Sequence, residues 1–178
     1  VAFPLQNPDV NAIFESYLPY DKSQWRLLRW RTANESYEDY SEGFNSVAPG
    51  IGYFFISTND GGELNVGGPS VEVTNGVFTI NLQNGWNMIG NPFRGVIDWN
   101  AVVAHNLNKG IIGDGDIVEG ELLKFEGSNR FVSGGDLREY RGGFVETSTA
   151  INNFEIPVTA ITSASGRVST QLPEAESI

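Results

Sequence analysis

The chain has no cysteine among its 178 residues, one histidine and one methionine. The missing thiols exclude disulfides, cysteine nucleophiles and thiolate metal sites, while leaving the redox compartment open. A single histidine, His105, excludes a histidine-rich metal site. Any Ser-His-Asp triad would have to use that one residue, and no G-x-S-x-G phrase accompanies it. Positive charge is also scarce. Lysine and arginine total 11 against 22 aspartates and glutamates, and the net charge of -11 repels nucleic acid and anionic lipid alike, so neither is an expected partner. The longest uncharged apolar run, GIGYFFIS over residues 50–57, falls far short of the roughly 20 residues that span a bilayer, so no membrane insertion is expected. No basic-then-apolar leader stands ahead of Val1, and the chain reads as a processed product or a piece of a longer polypeptide.

What is present is apolar and aromatic. A content of 40% apolar and 12% aromatic residues is enough to bury a core. Asp9 precedes Val10, Ile13, Phe14 and Tyr17 at helical spacing, which predicts a short helix over residues 8–17 behind Asn7 and Pro8. Asp98 precedes Trp99, Val102, Val103 and Leu107 in the same way and predicts a second, capped by Asp98. Strand patterns outnumber these helices. VTNGVFTINLQNGWNMIG alternates between Asn75-Gly76 and Asn84-Gly85, the chemistry of a hairpin.

The two helix phrases belong to a longer echo. DVNAIF answers DWNAVV, QWRLLRW answers GELLKF, GYFFIST from Gly52 answers GFVETST from Gly143, and ELNV answers NFEI, in one order at an offset of roughly 90 residues. The expected architecture is therefore a mainly β, sandwich-like domain over residues 1–161. It is built from two similar halves, 3–66 and 91–156, joined by a central hairpin and carrying two short helices. The small, polar stretch 162–178 reads as a linker or tail.

FPLQNPDVNAIF, YDKSQWRLLRW, APGIGYFFIS and LQNGWNMIGNPFRGVIDWNAV resemble a module that recurs in large exported proteins of Bacteroidetes and related bacteria. In that family the core phrase looks like G-W-N-L-I-G-N-P-[FY] followed by I-D-W, with W-R-L-[FL]-R-[WY] and P-G-x-G-Y-[FW] ahead of it. The resemblance spans residues 3–160. It implies an extracellular or cell-surface location, neighbouring domains on the same polypeptide, and a noncatalytic accessory role as spacer, stabiliser or adhesion surface. The second half departs from the pattern, with Gly142-Gly143-Phe144 in place of the aromatic G-Y-W phrase.

Three sets of residues are candidates for function. Trp30, Tyr37, Tyr40 and Tyr53 could form an aromatic surface for a glycan or a surface protein, the reading that makes the chain a carbohydrate-binding module. The competing reading is ordinary strand packing, since strands favour tyrosine. Asp114, Asp116 and Glu119, with Glu121, offer oxygen ligands on a glycine-flexed loop suited to calcium, although the spacing is not that of an EF-hand. Asn59, Asp60 and Glu63 form a weaker second set, set in ordinary hairpin chemistry. The stretch NGWNMIGNPFRGVIDW is read as a structural corner, in which Trp86 and Trp99 pin strand, turn and helix to the core. Asn91-Pro92 force the exit and Asp98 caps the helix. Carboxylates are too numerous for the sequence to select a glycosidase pair, and no enzymatic activity is expected.

Overall fold

The computed structural model describes residues 1–6, 9–59, 61–118, 122–125 and 130–162; the predicted tail lies outside them apart from Thr162. The chain is mainly β, and its described residues fold into antiparallel sheets with three short helices, one more than the sequence pattern suggests. The first half contains α1 (Val10–Ile13), β1 (Trp25–Arg31), β2 (Ser36–Asp39), α2 (Tyr40–Gly43) and β3 (Tyr53–Ser57). The central hairpin supplies β4 (Val77–Leu82) and β5 (Gly85–Gly90), and the chain continues through β6 (Val96–Asp98), α3 (Trp99–Asn108), β7 (Leu122–Phe125), β8 (Phe131–Gly134), β9 (Asp136–Leu137), β10 (Gly142–Thr147), β11 (Ile151–Pro157) and β12 (Ile161–Thr162).

Helix α1 is shorter than expected. Asp9 caps it by accepting from Asn11 N at 2.9 Å, the helix ends at Ile13, and a separate turn over Glu15–Tyr17 carries Tyr17 into the core. Asn7 and Pro8 lie outside the described residues. In α3, Asp98 accepts from Asn100 N and Ala101 N, as the sequence predicts. Leu107, expected to face inward, is instead exposed, and the inward position belongs to Asn106. Its side chain exchanges hydrogen bonds with the backbone of Glu155, at 2.7 Å and 2.9 Å, so a buried amide completes what a neighbouring strand would otherwise supply.

Two sheets dominate. One has the order β2-β1-β3, the other β5-β10-β7-β8, and each carries its own apolar core on one face. The first core gathers Phe3, Phe14, Trp25, Leu27 and Tyr53, with Phe14 stacked on Trp25 at 4.9 Å. The second gathers Ile89, Leu122 and Val145 against Trp99 and Val102 of α3 and against Phe154 and Ile156 of β11. Strand order and register match between the sheets. Leu28 pairs with Phe54 as Leu123 pairs with Phe144, Trp30 pairs with Tyr37 as Phe125 pairs with Phe131, and Ala2 bridges Gly52 as Gly90 pairs with Gly142.

This register moves one sequence match by a residue. Gly52 corresponds to Gly142, not Gly143, which puts Phe54 opposite Phe144 and returns Tyr53 to the core side. A one-residue slip in a strand exchanges its two faces, and sequence comparison had aligned the second of two adjacent glycines. The segment Glu63-Leu64-Asn65-Val66, expected as a closing strand, lies outside every sheet, whereas its counterpart in β11 pairs with β4.

The sheets meet backbone to backbone. Gly52 N donates to Met88 O at 3.2 Å, Gly90 N donates to Gly50 O at 2.9 Å, and Ile51 bridges Ile89 between them. Such an approach leaves no room for side chains. A Cβ on Gly52 would stand 2.6 Å from Ile89 O, and one on Gly90 would collide with Ile51 O. Overpacking of this kind costs roughly 1–3 kcal/mol or more. Gly90→Ala should therefore lower the unfolding free energy by at least that amount, while Gly61→Ala, where the nearest neighbour is Asn59 Oδ1 at 3.6 Å, should change it by less than about 0.5 kcal/mol. Urea titration of both variants checks the pair.

Candidate aromatic cleft

Strand alternation sends every second side chain of each sheet away from its core, and in both sheets several of these residues are aromatic. Trp30, Tyr37 and Phe54 leave β1, β2 and β3; Trp86, Phe125, Phe131 and Phe144 leave β5, β7, β8 and β10. They meet where the sheets join. Trp30 lies 5.0 Å from Tyr37 and 5.7 Å from Phe144, Phe54 lies 5.4 Å from Phe125, and Phe131 lies 5.9 Å from Phe144, with rings mostly edge to face. Trp30, Tyr37, Trp86, Leu123, Phe131 and Phe144 line an open cleft of about 200 Å³. Its floor is fixed, because Trp30 Nε1 and Thr32 Oγ1 both donate to Trp86 O at 2.7 Å. Among the described residues none covers its rim. Tyr37, Phe125 and Phe131 remain 44%, 40% and 45% exposed, a concentration of apolar surface that marks contact sites more often than idle surface.

Of the four aromatic candidates named from sequence, the structure brings two together. Trp30 and Tyr37 belong to the cleft. Tyr53 does not present a surface, since it is 1% exposed and its hydroxyl accepts from Ala48 N at 2.9 Å. Tyr40 is half-buried over Trp25 and donates to Asn11 Oδ1 at 2.9 Å, so it too serves the first core. Sequence reasoning missed Phe54, Phe131 and Phe144. Alternation from Trp30 and Leu28 across β1 could have indicated Phe54, but only the strand pairing joins it to residues some 70 to 90 positions away.

The acidic candidates split as well. Asp116 is occupied locally, its Oδ2 accepting from Gly113 N at 2.6 Å and its Oδ1 lying 3.5 Å from Thr149 Oγ1. Asp114 is exposed on the same turn, and Glu119 lies outside the described residues, as do Glu121 and Asp60 of the weaker set. Among the described residues no three histidines, aspartates or glutamates gather as metal ligands. His105 Nε2 stands 2.6 Å from Glu155 Oε2, and Lys109 bonds the same carboxylate at 2.8 Å. The Lys109 and His105 hydrogen bonds hold the Glu155 pKa below its ordinary value.

Asp39 is the most constrained acid. It is 1% exposed and accepts from the Tyr20 hydroxyl, Arg26 Nε at 2.8 Å, and Ser41 N and Oγ at 3.1 Å and 2.9 Å. Burial alone would raise its pKa, but these donors outweigh it and hold the carboxyl at about 2. Burial and the Asp39 carboxylate push the Tyr20 hydroxyl upward in turn.

The corner phrase resolves into two roles. Asn91 is fully buried, donating to Gly95 O at 2.7 Å and Leu137 O at 2.8 Å and accepting from Phe93 N, with Pro92 buried beside it. Asn87 fastens the β4–β5 turn through Gln83 and Gly85. Trp99 is 1% exposed, lies 5.7 Å from Phe154, and has an indole N–H with no acceptor among the described residues. Trp86, expected in the core, is half-buried in the cleft wall, because β5 turns Asn87 and Ile89 to the core and Trp86 and Met88 away from it.

Two outcomes follow from these environments. Trp99→Ala should destabilise by about 3–5 kcal/mol, while Trp86→Ala should cost markedly less, about 1–2 kcal/mol, as thermal unfolding will register. Because the folded pKa of Asp39 is depressed, its contribution is present above the ordinary value of 3.8 and is lost as pH falls through about 2. A shift of that size corresponds to about 2 kcal/mol. Asp39→Asn should lose stability at pH 7 and show a shallower decline between pH 4 and 2 than the parent in chemical denaturation. Compared with known proteins, the chain matches no family model, no curated protein and no solved structure.

Proposed function

We propose that the chain is a noncatalytic accessory module of a larger exported bacterial protein, acting outside the cell or at its surface as a spacer or adhesion unit beside neighbouring domains. The observation that supports it most directly is the division of labour among polar and aromatic groups. Of the perturbed acids, Asp39, Glu38 and Glu155 are each held by arginine, lysine, tyrosine or histidine partners and Asp21 by Ser23, whereas the open cleft is lined by rings and Leu123. Tyr37 brings an ionisable hydroxyl to this lining, but burial raises its pKa, and the contact that the cleft offers is mainly apolar. The location and the company of other domains rest on the family resemblance.

A second reading is favoured by the meeting of Trp30 and Tyr37, which is glycan binding through the cleft. Sugars stack on open ring faces and need hydrogen-bonding groups beside them; here the rings stand mostly edge to face. Isothermal titration against a panel of neutral and acidic glycans, alongside a broad screen of hydrolase substrates, separates the readings. The accessory role predicts no turnover and no glycan affinity beyond the millimolar range, about -4 kcal/mol. A micromolar glycan lost in Tyr37→Ala would instead establish the carbohydrate reading, and turnover abolished by His105→Ala would establish an enzyme.

A further inference from the structure

The two sheets share strand order and register, but not completeness. In the second sheet β10 is covered along its whole outer side by β5, from Gly142 opposite Gly90 to Thr147 opposite Gly85. In the first sheet the equivalent side of β3 is covered only at its beginning. Ala2 bridges Gly52, Tyr53 N donates to Val1 O at 2.8 Å, and the Val1 amine donates to Tyr53 O at 2.5 Å. Past Tyr53 the side is bare. Thr58 N bonds Gln24 O of the neighbouring chain segment, so residues 54, 56 and 58 point their backbone toward β1, and Phe55 and Ser57 point theirs outward, where no strand pairs with them among the described residues.

Three further features belong to the same gap. Ile56, whose counterpart Glu146 pairs with Trp86, is 51% exposed. Leu64 and Val66 lie against the first core with no ladder partner, although Phe154 and Ile156, their counterparts, pair with Ile80 and Phe78 of β4. The Val1 nitrogen occupies the position of a ladder amide, donating to Tyr53 O.

We propose that the free edge of β3 is a strand-accepting site, filled by a hairpin of the β4–β5 pattern that enters in cis through Val1 and runs antiparallel to β3. The register is set by the Val1–Tyr53 pair. The position directly before Val1 falls opposite Phe54, the next opposite Phe55, the third opposite Ile56 and the fourth opposite Ser57. An aromatic residue at the third position covers Ile56 as Trp86 covers Glu146. The first strand of the hairpin then runs beside Leu64 and Val66 as β4 runs beside β11. Main-chain bonds supply the affinity at such an edge, and alternating side chains supply the selectivity. This assignment is independent of any ligand in the cleft.

The test duplicates residues 77–88 of this chain directly ahead of Val1 and compares the product with the parent chain and with a glycine-serine extension of equal length. Amide hydrogen exchange resolved to single residues is the readout. The Phe55 and Ser57 amides should exchange at least roughly tenfold more slowly in the duplicated variant, through hydrogen bonds that the parent lacks, and remain unchanged in the glycine-serine control. The melting temperature should rise with them. Unaltered exchange at Phe55 and Ser57 would overturn the proposal, as would protection of those amides in the parent chain that grows with protein concentration, which would give the edge to a second copy instead.

Discussion

The structure depends on the approach of two backbones at Gly52 and Gly90. There the start of β3 and the end of β5 exchange hydrogen bonds across the join of the two sheets, at a separation that a single methyl group would block. Everything else is arranged around that contact. Each sheet turns one face to its own core, and aromatic side chains from the remaining faces meet beside the join. The cleft opens there. Rings fill the space near the contact and fall short of filling it toward the rim, where Tyr37 and Phe131 stay half in solvent.

Polar groups reinforce the same frame from inside. Asn91, Asn106 and Asp39 are all buried, and each is fully engaged: Asn91 ties the exit of β5 to β9, Asn106 stands in for a missing strand neighbour beside β11, and Asp39 gathers Tyr20, Arg26 and Ser41 at the start of α2. A buried amide or carboxylate with its partners in place restricts the fold to one arrangement, since any alternative leaves it unpaired. These residues, with the glycines, account for much of the turn-rich composition.

Much of this was legible from sequence, for physical reasons that differ by element. Asp98 and Asp9 announced helices because a capping carboxylate followed by spaced apolar residues has few other uses. The mainly β character was visible because strand phrases such as WRLLRW and ELLKF keep their apolar alternation. The corner at Asn91-Pro92 was recognised as structural, though its hydrogen-bond partners, Gly95 and Leu137, could be seen only in space. Other features depend on register, which sequence specifies weakly where two glycines adjoin. Aligning Gly52 with Gly143 matched Tyr53 to Phe144 and hid the kinship of Phe54 with Phe144. Trp86 was assigned to the core because Met88 shares its strand phase, although both turn toward the cleft. The cleft joins residues from strands of both halves, and no local pattern announces such a meeting.

The central claim is that the glycine join makes the two sheets one cooperative body, and native-state hydrogen exchange of the Gly52 and Gly90 amides under increasing denaturant tests it most directly. Both amides cross the join, to Met88 O and Gly50 O. The account predicts that they open only with the global unfolding of the chain, at the free energy and denaturant dependence of the most protected amides of β10. Exchange of either amide through a smaller opening that leaves both cores protected would contradict it, and would make the halves separate units that merely touch.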